Sequence, residues 1–134
     1  MGKIKGIIKR DKIVLGIFDA LKKHNKQGFL KIDIKPLIDW DEPNGEGCLA
    51  SDMTTKKGWK VGYMYREEPL ETMPDSGWRF FKGDESNDYM NNPDNTHIFA
   101  LNTICNYDKD IIPYLKYPIG TRLVTANLPK IRDQ

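Results

Sequence analysis

The residues with the chemistry to act as nucleophile or base are few: two cysteines, Cys48 and Cys105, and two histidines, His24 and His97. A thiol nucleophile needs a histidine beside it and a third group to orient that histidine. The sequence offers Cys105, His97 and Asp108 as one such set, which defines one open reading: a small enzyme or ligand-binding domain of unknown chemistry. Paired carboxylates at Glu67/Glu68, Asp84/Glu85 and Asp108/Asp110 have the residue types for acid–base work. Solvated loop charges explain their positions better. The cysteines form no CxxC and no Cys/His cluster has zinc-ligand spacing, so no metal or other cofactor is expected. The acids and amides of 84–96 lack the spacing, glycine and terminal glutamate of an EF-hand loop. No P-loop, GxGxxG, GxSxG or HExxH occurs.

Charge is distributed unevenly. Residues 1–40 carry ten Lys/Arg against four Asp/Glu, residues 41–100 six against twelve, and residues 101–134 five against three, which sums to the net +2. Most aromatics lie in the acidic middle, away from the basic segment. The interleaving of rings and cations that nucleic acid needs is missing, so no nucleic-acid partner is expected. Aromatics among acids suit a contact surface for a basic protein partner. Tyr65, Trp78 and Asp88 fall in that segment. No apolar run reaches membrane-spanning length, and the basic start lacks a clean signal-peptide pattern, so a cytoplasmic protein with no membrane partner is expected.

These groups must be held by elements, and the pattern predicts an α+β fold. The organising stretch is Asp75–Glu85, with Trp78, Phe80 and Phe81 in four positions between Gly77 and Gly83. Strand parity puts Trp78 and Phe80 on one face and Arg79 and Phe81 on the other, which predicts a central strand. Strands are also expected at Cys48–Ala50, Trp59–Arg66, His97–Leu101 and Thr121–Thr125. In the second, Trp59, Val61, Tyr63 and Tyr65 should share a face. Ile13, Ile17, Phe18 and Leu21 predict a helix over 11–24, and Leu30, Ile32 and Ile34 a strand over 29–34. Ser86–Met90 reads as a helical turn and Asp110–Leu115 as a short helix, with Asp110 as cap. The whole is a single domain with a mostly antiparallel sheet of about five or six strands. An amino-terminal helix and a short carboxyl-terminal helix pack on it. Residues 1–46 are expected as an extension packed on the core, 47–125 as the core, and 126–134 as a tail.

Three ordered motifs resemble a known family. Gly58–Glu67, Asp75–Glu85, and Leu101–Asp108 together with Ile111–Leu115 are similar to the signatures of a bacterial domain-of-unknown-function family. That family, immunity protein family thirty-three, is grouped with the immunity proteins of polymorphic toxin systems. The resemblance covers about residues 47–125. It implies a non-enzymatic, cytoplasmic α+β protein that binds and neutralises a cognate toxin domain. Of the polar residues in the matching motifs, Asp84, Glu85, Asn102, Asn106 and Asp108 are candidate partner contacts. Asn and Asp also suit structural caps and turns. Oligomeric state is left open.

Overall fold

A computed structural model of the chain describes residues 24–124. The chain divides into two units, Met1–Lys31 and Ile32–Gln134. In the first, the described residues form a turn in which the Asn25 side-chain oxygen accepts hydrogen bonds from the Gln27 and Phe29 amides. His24 and Leu30 make an isolated bridge there. The helix expected over 11–24 lies outside the described residues up to position 23, as does the tail 126–134. The strand expected over 29–34 does not form: beyond that bridge, residues 31–42 belong to no sheet. Pro36 lacks a backbone donor, and the amides around it bond to asparagine side chains instead of a neighbouring strand.

The second unit is built on a five-stranded sheet. Its elements are β1 (Gly47–Ser51), α1 (Asp52–Thr55), β2 (Tyr63–Arg66), β3 (Trp78–Phe81), α2 (Asn87–Asn91), β4 (Thr96–Ala100), α3 (Leu101–Tyr107) and β5 (Arg122–Val124). Three-residue and six-residue 3-10 segments, Pro93–Asn95 and Lys109–Tyr114, precede β4 and follow α3. The strand order is β4-β1-β3-β2-β5. The Trp78 strand is central as expected, and all four of its residues are buried.

The expected mostly antiparallel arrangement is corrected: the sheet is mixed. β3 runs parallel to β1 on one side and antiparallel to β2 on the other. The chain leaves β1, lays down β2 at a distance, and returns β3 into the gap between them. The Ser76 amide and hydroxyl both donate to the Gly47 carbonyl, at 2.7 Å each, which aligns the start of β3 with β1.

The second expected strand is also shorter than its pattern. Over Trp59–Val61 the backbone bonds elsewhere: the Trp59 amide donates to the Met53 carbonyl and the Val61 amide to the Asp108 carboxylate, and only the Gly62 amide reaches β3, at the Phe81 carbonyl. Strand parity therefore does not run through Gly62. Val61 enters the core and Trp59 lies at the surface. Tyr63 and Tyr65 take the face opposite Met64 and Arg66, so the four residues expected on one face are separated.

One face of the sheet carries the core. Cys48 and Ala50 of β1, Met64 of β2, and Trp78 and Phe80 of β3 pack with Leu101, Ile104 and Cys105 of α3 and with Ile111 and Leu115. The Trp78 and Phe80 rings stack with centroids 5.9 Å apart, and the Trp78 indole N–H donates to the Leu115 carbonyl at 2.9 Å. Burying two such side chains stabilises by about 1.5–3 kcal/mol each, so this pair is a major anchor of the fold.

Candidate functional site

The candidate site residues divide by what their side chains already hold. Asn102 and Asn106 lie one turn apart on α3 and clamp the segment preceding β1. The Asn102 side-chain oxygen accepts from the Leu37 and Ile38 amides at 2.8 and 3.3 Å, and its amide nitrogen donates to the Lys35 carbonyl. Asn106 accepts from the Lys35 amide and donates to the Lys35 carbonyl. Two asparagines thereby satisfy a run of backbone that has no strand partner.

Asp108 is buried and caps the 3-10 segment through the Asp110 amide, so the cap is Asp108 rather than the expected Asp110. Its other oxygen accepts from the Val61 amide at 2.9 Å. Lys60 reaches both carboxylates, and the bond to Asp110 leads in holding its ammonium charge above the ordinary range. Glu85 locks the turn after β3 by accepting from the Lys82 and Gly83 amides. Trp78 is fully buried and has no surface to offer. Asp84 and Asp88 are exposed; among the described residues Asp84 pairs with Lys82 of its own turn.

Tyr65 sits among rings on the second face of the sheet. Its centroid lies 5.6 Å from that of Tyr63 and 6.0 Å from that of Phe81, nearly parallel to the latter. The Arg122 guanidinium stands 5.3 Å over the Tyr65 ring and donates to the Tyr63 hydroxyl at 2.7 Å. Burial, and then the charge of Glu67, push the Tyr65 phenol up from its ordinary pKa. Register places Leu49, Ile98 and Val124 on this same face. None of the residues of the core cluster comes from it. The Gly83–Glu85 turn borders it, since a Cβ on Gly83 would stand 3.6 Å from that of Tyr63.

Cys105, His97 and Asp108 are employed separately. The Cys105 thiol is fully buried, and burial, with the charges of Glu46 and Asp108 added, pushes its pKa up to about 12. This is opposite to the direction that makes a reactive thiolate. Burial raises the Cys48 thiol as well. The His97 Nδ1 lies 2.7 Å from the Asp52 carboxylate. Among the described residues no group of His, Cys, Asp and Glu has the arrangement to hold a metal ion, and no helix is long and apolar enough to cross a membrane.

Sequence reasoning missed the strongest polar cluster. Arg79, 1% exposed, donates twice to Asp75, at 2.9 and 2.8 Å, and once to Glu67 at 2.6 Å. Asp75 also accepts from the Leu70 and Gly77 amides. Burial opposes the charges in this cluster, but the mutual bonds outweigh it, so the Asp75 carboxyl is held low and the Arg79 guanidinium is pushed up. The available signal was parity: Arg79 on the second face of a central strand must find acids there. That Tyr63, Arg122 and Ile98 share this face follows only from the register between strands, which no local pattern carries.

The buried polar groups of this α+β domain are thus spent on bracing the fold. The family model described as the immunity protein Imm33 domain matches residues 48–131, and the chain belongs to that family. Neither a curated protein nor a solved structure matches it.

Proposed function

We propose that this protein binds and neutralises a cognate toxin domain, covering the toxin's active site with the aromatic second face of its sheet and the acidic turn beside it. Membership of an immunity-protein family supports the toxin as partner. The observation that carries the choice of surface is the half-buried Tyr63–Tyr65 pair with Arg122 over it, backed by the buried Phe81 on the face away from the core cluster. Tyrosines on strands offer large contact area at small entropic cost. Asp84, in the turn that borders that face, and Asp88 on α2 add exposed negative charge, while Glu85 shapes the turn that presents Asp84. A toxin surface that meets them is basic, as the groove of a nuclease is. In this reading Asn102, Asn106, Asp108 and Trp78 support the surface without touching the partner.

The experiment is co-expression with the product of the adjacent gene, followed by affinity purification. A stoichiometric complex that abolishes toxicity is the expected result. Asp84→Lys combined with Asp88→Lys is expected to weaken the complex about tenfold and flatten its salt dependence. Unchanged affinity in that variant removes the acidic turn from the interface, and absence of any complex removes the toxin reading itself.

A further inference from the structure

Among the described residues the sheet ends at β4, and the hydrogen-bonding pattern shows which way its backbone points. β4 pairs with β1 antiparallel, with Leu49 opposite Ile98 and Cys48 opposite Phe99. The same register continues to Glu46 and Leu101, where the Leu101 amide donates to the Glu46 carbonyl at 2.9 Å. Bonded and non-bonded pairs alternate in an antiparallel ladder. His97 and Phe99 therefore direct their backbone groups to β1, while Thr96, Ile98 and Ala100 direct theirs outward. Among the described residues, those three N–H groups and the Thr96 and Ile98 carbonyls form an open row on one edge of the sheet, while the Ala100 carbonyl opens α3 as its N-cap.

Native sheets blunt such edges with lysine, proline or a bulge. Thr96-His97-Ile98-Phe99-Ala100 has none of these, and its Ile98 is 62% exposed. Beside the row, on the face that carries Tyr65, Met73 and Pro74 of the β2–β3 loop border a shallow apolar depression with Ile98 and Ala100. Carboxylates bracket the strand, with exposed Asp94 just before it and Glu46 beside its far end.

We infer that the β4 edge takes an extended segment of the toxin as a sixth strand. This rests on the toxin-binding reading and adds a second contact to the aromatic face. Main-chain bonds to Thr96, Ile98 and Ala100 supply affinity, and the depression beside Ile98 selects an apolar side chain at the position opposite. The bracketing carboxylates favour Lys or Arg flanking that segment. A second copy of this chain meeting the same edge would pair these five residues alone. That is a small contact against the roughly 1,600 Å² of a standard interface. A toxin that also covers the adjoining face supplies the rest.

The test uses hydrogen–deuterium exchange on the full chain, free and saturated with the purified toxin domain encoded beside it. The Thr96, Ile98 and Ala100 amides should exchange rapidly in the free protein and become protected in the complex. Ala100→Pro supplies the second measurement. Ala100 has φ −75°, which proline adopts without strain, and the alternation of the ladder turns its N–H away from β1. This variant should keep its thermal midpoint and bind about tenfold more weakly. A complex that forms with those amides still exchanging rapidly, or with Ala100→Pro affinity unchanged, overturns the edge proposal and leaves the toxin reading standing. Protection that appears in the free protein and grows with its concentration assigns the edge to a second copy and also overturns it. Failure of any complex to form defeats both.

Discussion

Arg79 shows how a single residue can stabilise a fold while contributing nothing to its apolar core. Its guanidinium is enclosed by Asp75 and Glu67, and those bonds tie the β2–β3 loop down onto the sheet. Removing one partner of a buried pair leaves the other charge uncompensated, so Arg79→Met should cost about 3–5 kcal/mol in denaturant unfolding. Arg79→Lys should recover only part of that loss, because an ammonium lacks the fork that serves both carboxylates. The pH dependence follows from Asp75. Its folded pKa is lowered, so its contribution is complete above the ordinary value of about 3.9 and is lost as pH falls toward the lowered one. Stability of the native chain should therefore drop more steeply below about pH 4 than that of Asp75→Asn, as read by thermal midpoints. Both thiols shift the other way. Raised cysteine pKa values give stability that is complete below about pH 8.5 and declines at higher pH, and alkylation of Cys105 should be limited by unfolding.

At the scale of elements, the elements that followed a strict period were legible in the sequence. Trp78–Phe81 reads as a central strand because both of its faces are apolar, and it is one. Ser86 reads as the start of a helical turn, and its hydroxyl does accept from the Tyr89 amide. What failed was extrapolating a period across a break. The pairing of β2 does not extend back to Trp59 because Asp108, distant in sequence, takes the Val61 amide, and no local pattern announces that bond. The segment around Pro36 alternates like a strand, yet its backbone is satisfied by Asn102 and Asn106, which only the folded chain brings near. The consequence is measurable: Asn102→Ala should leave the sheet intact but expose residues 35–38 to proteolysis and fast amide exchange. Gly77 is a second such point. Its φ of +88° and the Glu67 carbonyl, 2.1 Å from where a Cβ would stand, leave no room for alanine. Gly77→Ala should destabilise the chain by more than about 1 kcal/mol through strain at the base of the loop.

Over the whole molecule, the two faces of the sheet have different fates. One is consumed by α3 and the 3-10 segment after it, which bury Trp78 and Phe80. The other gathers Tyr63, Tyr65, Arg122, Val124 and Ile98 in one surface that borders the acidic turn. The charge asymmetry along the sequence could not say which of these residues share a face; the register does. Asp84 and Asp88, read from that asymmetry, lie exposed, whereas Asn102, Asn106 and Asp108 brace the fold from within. The most direct measurement is a titration of the purified toxin domain's activity with this chain and with its Tyr65→Ala/Val124→Lys variant. The binding account predicts stoichiometric inhibition by the native chain, and inhibition at least about tenfold weaker by a variant that keeps its thermal midpoint. Full toxin activity at saturating native chain, or equal inhibition by both, would contradict it.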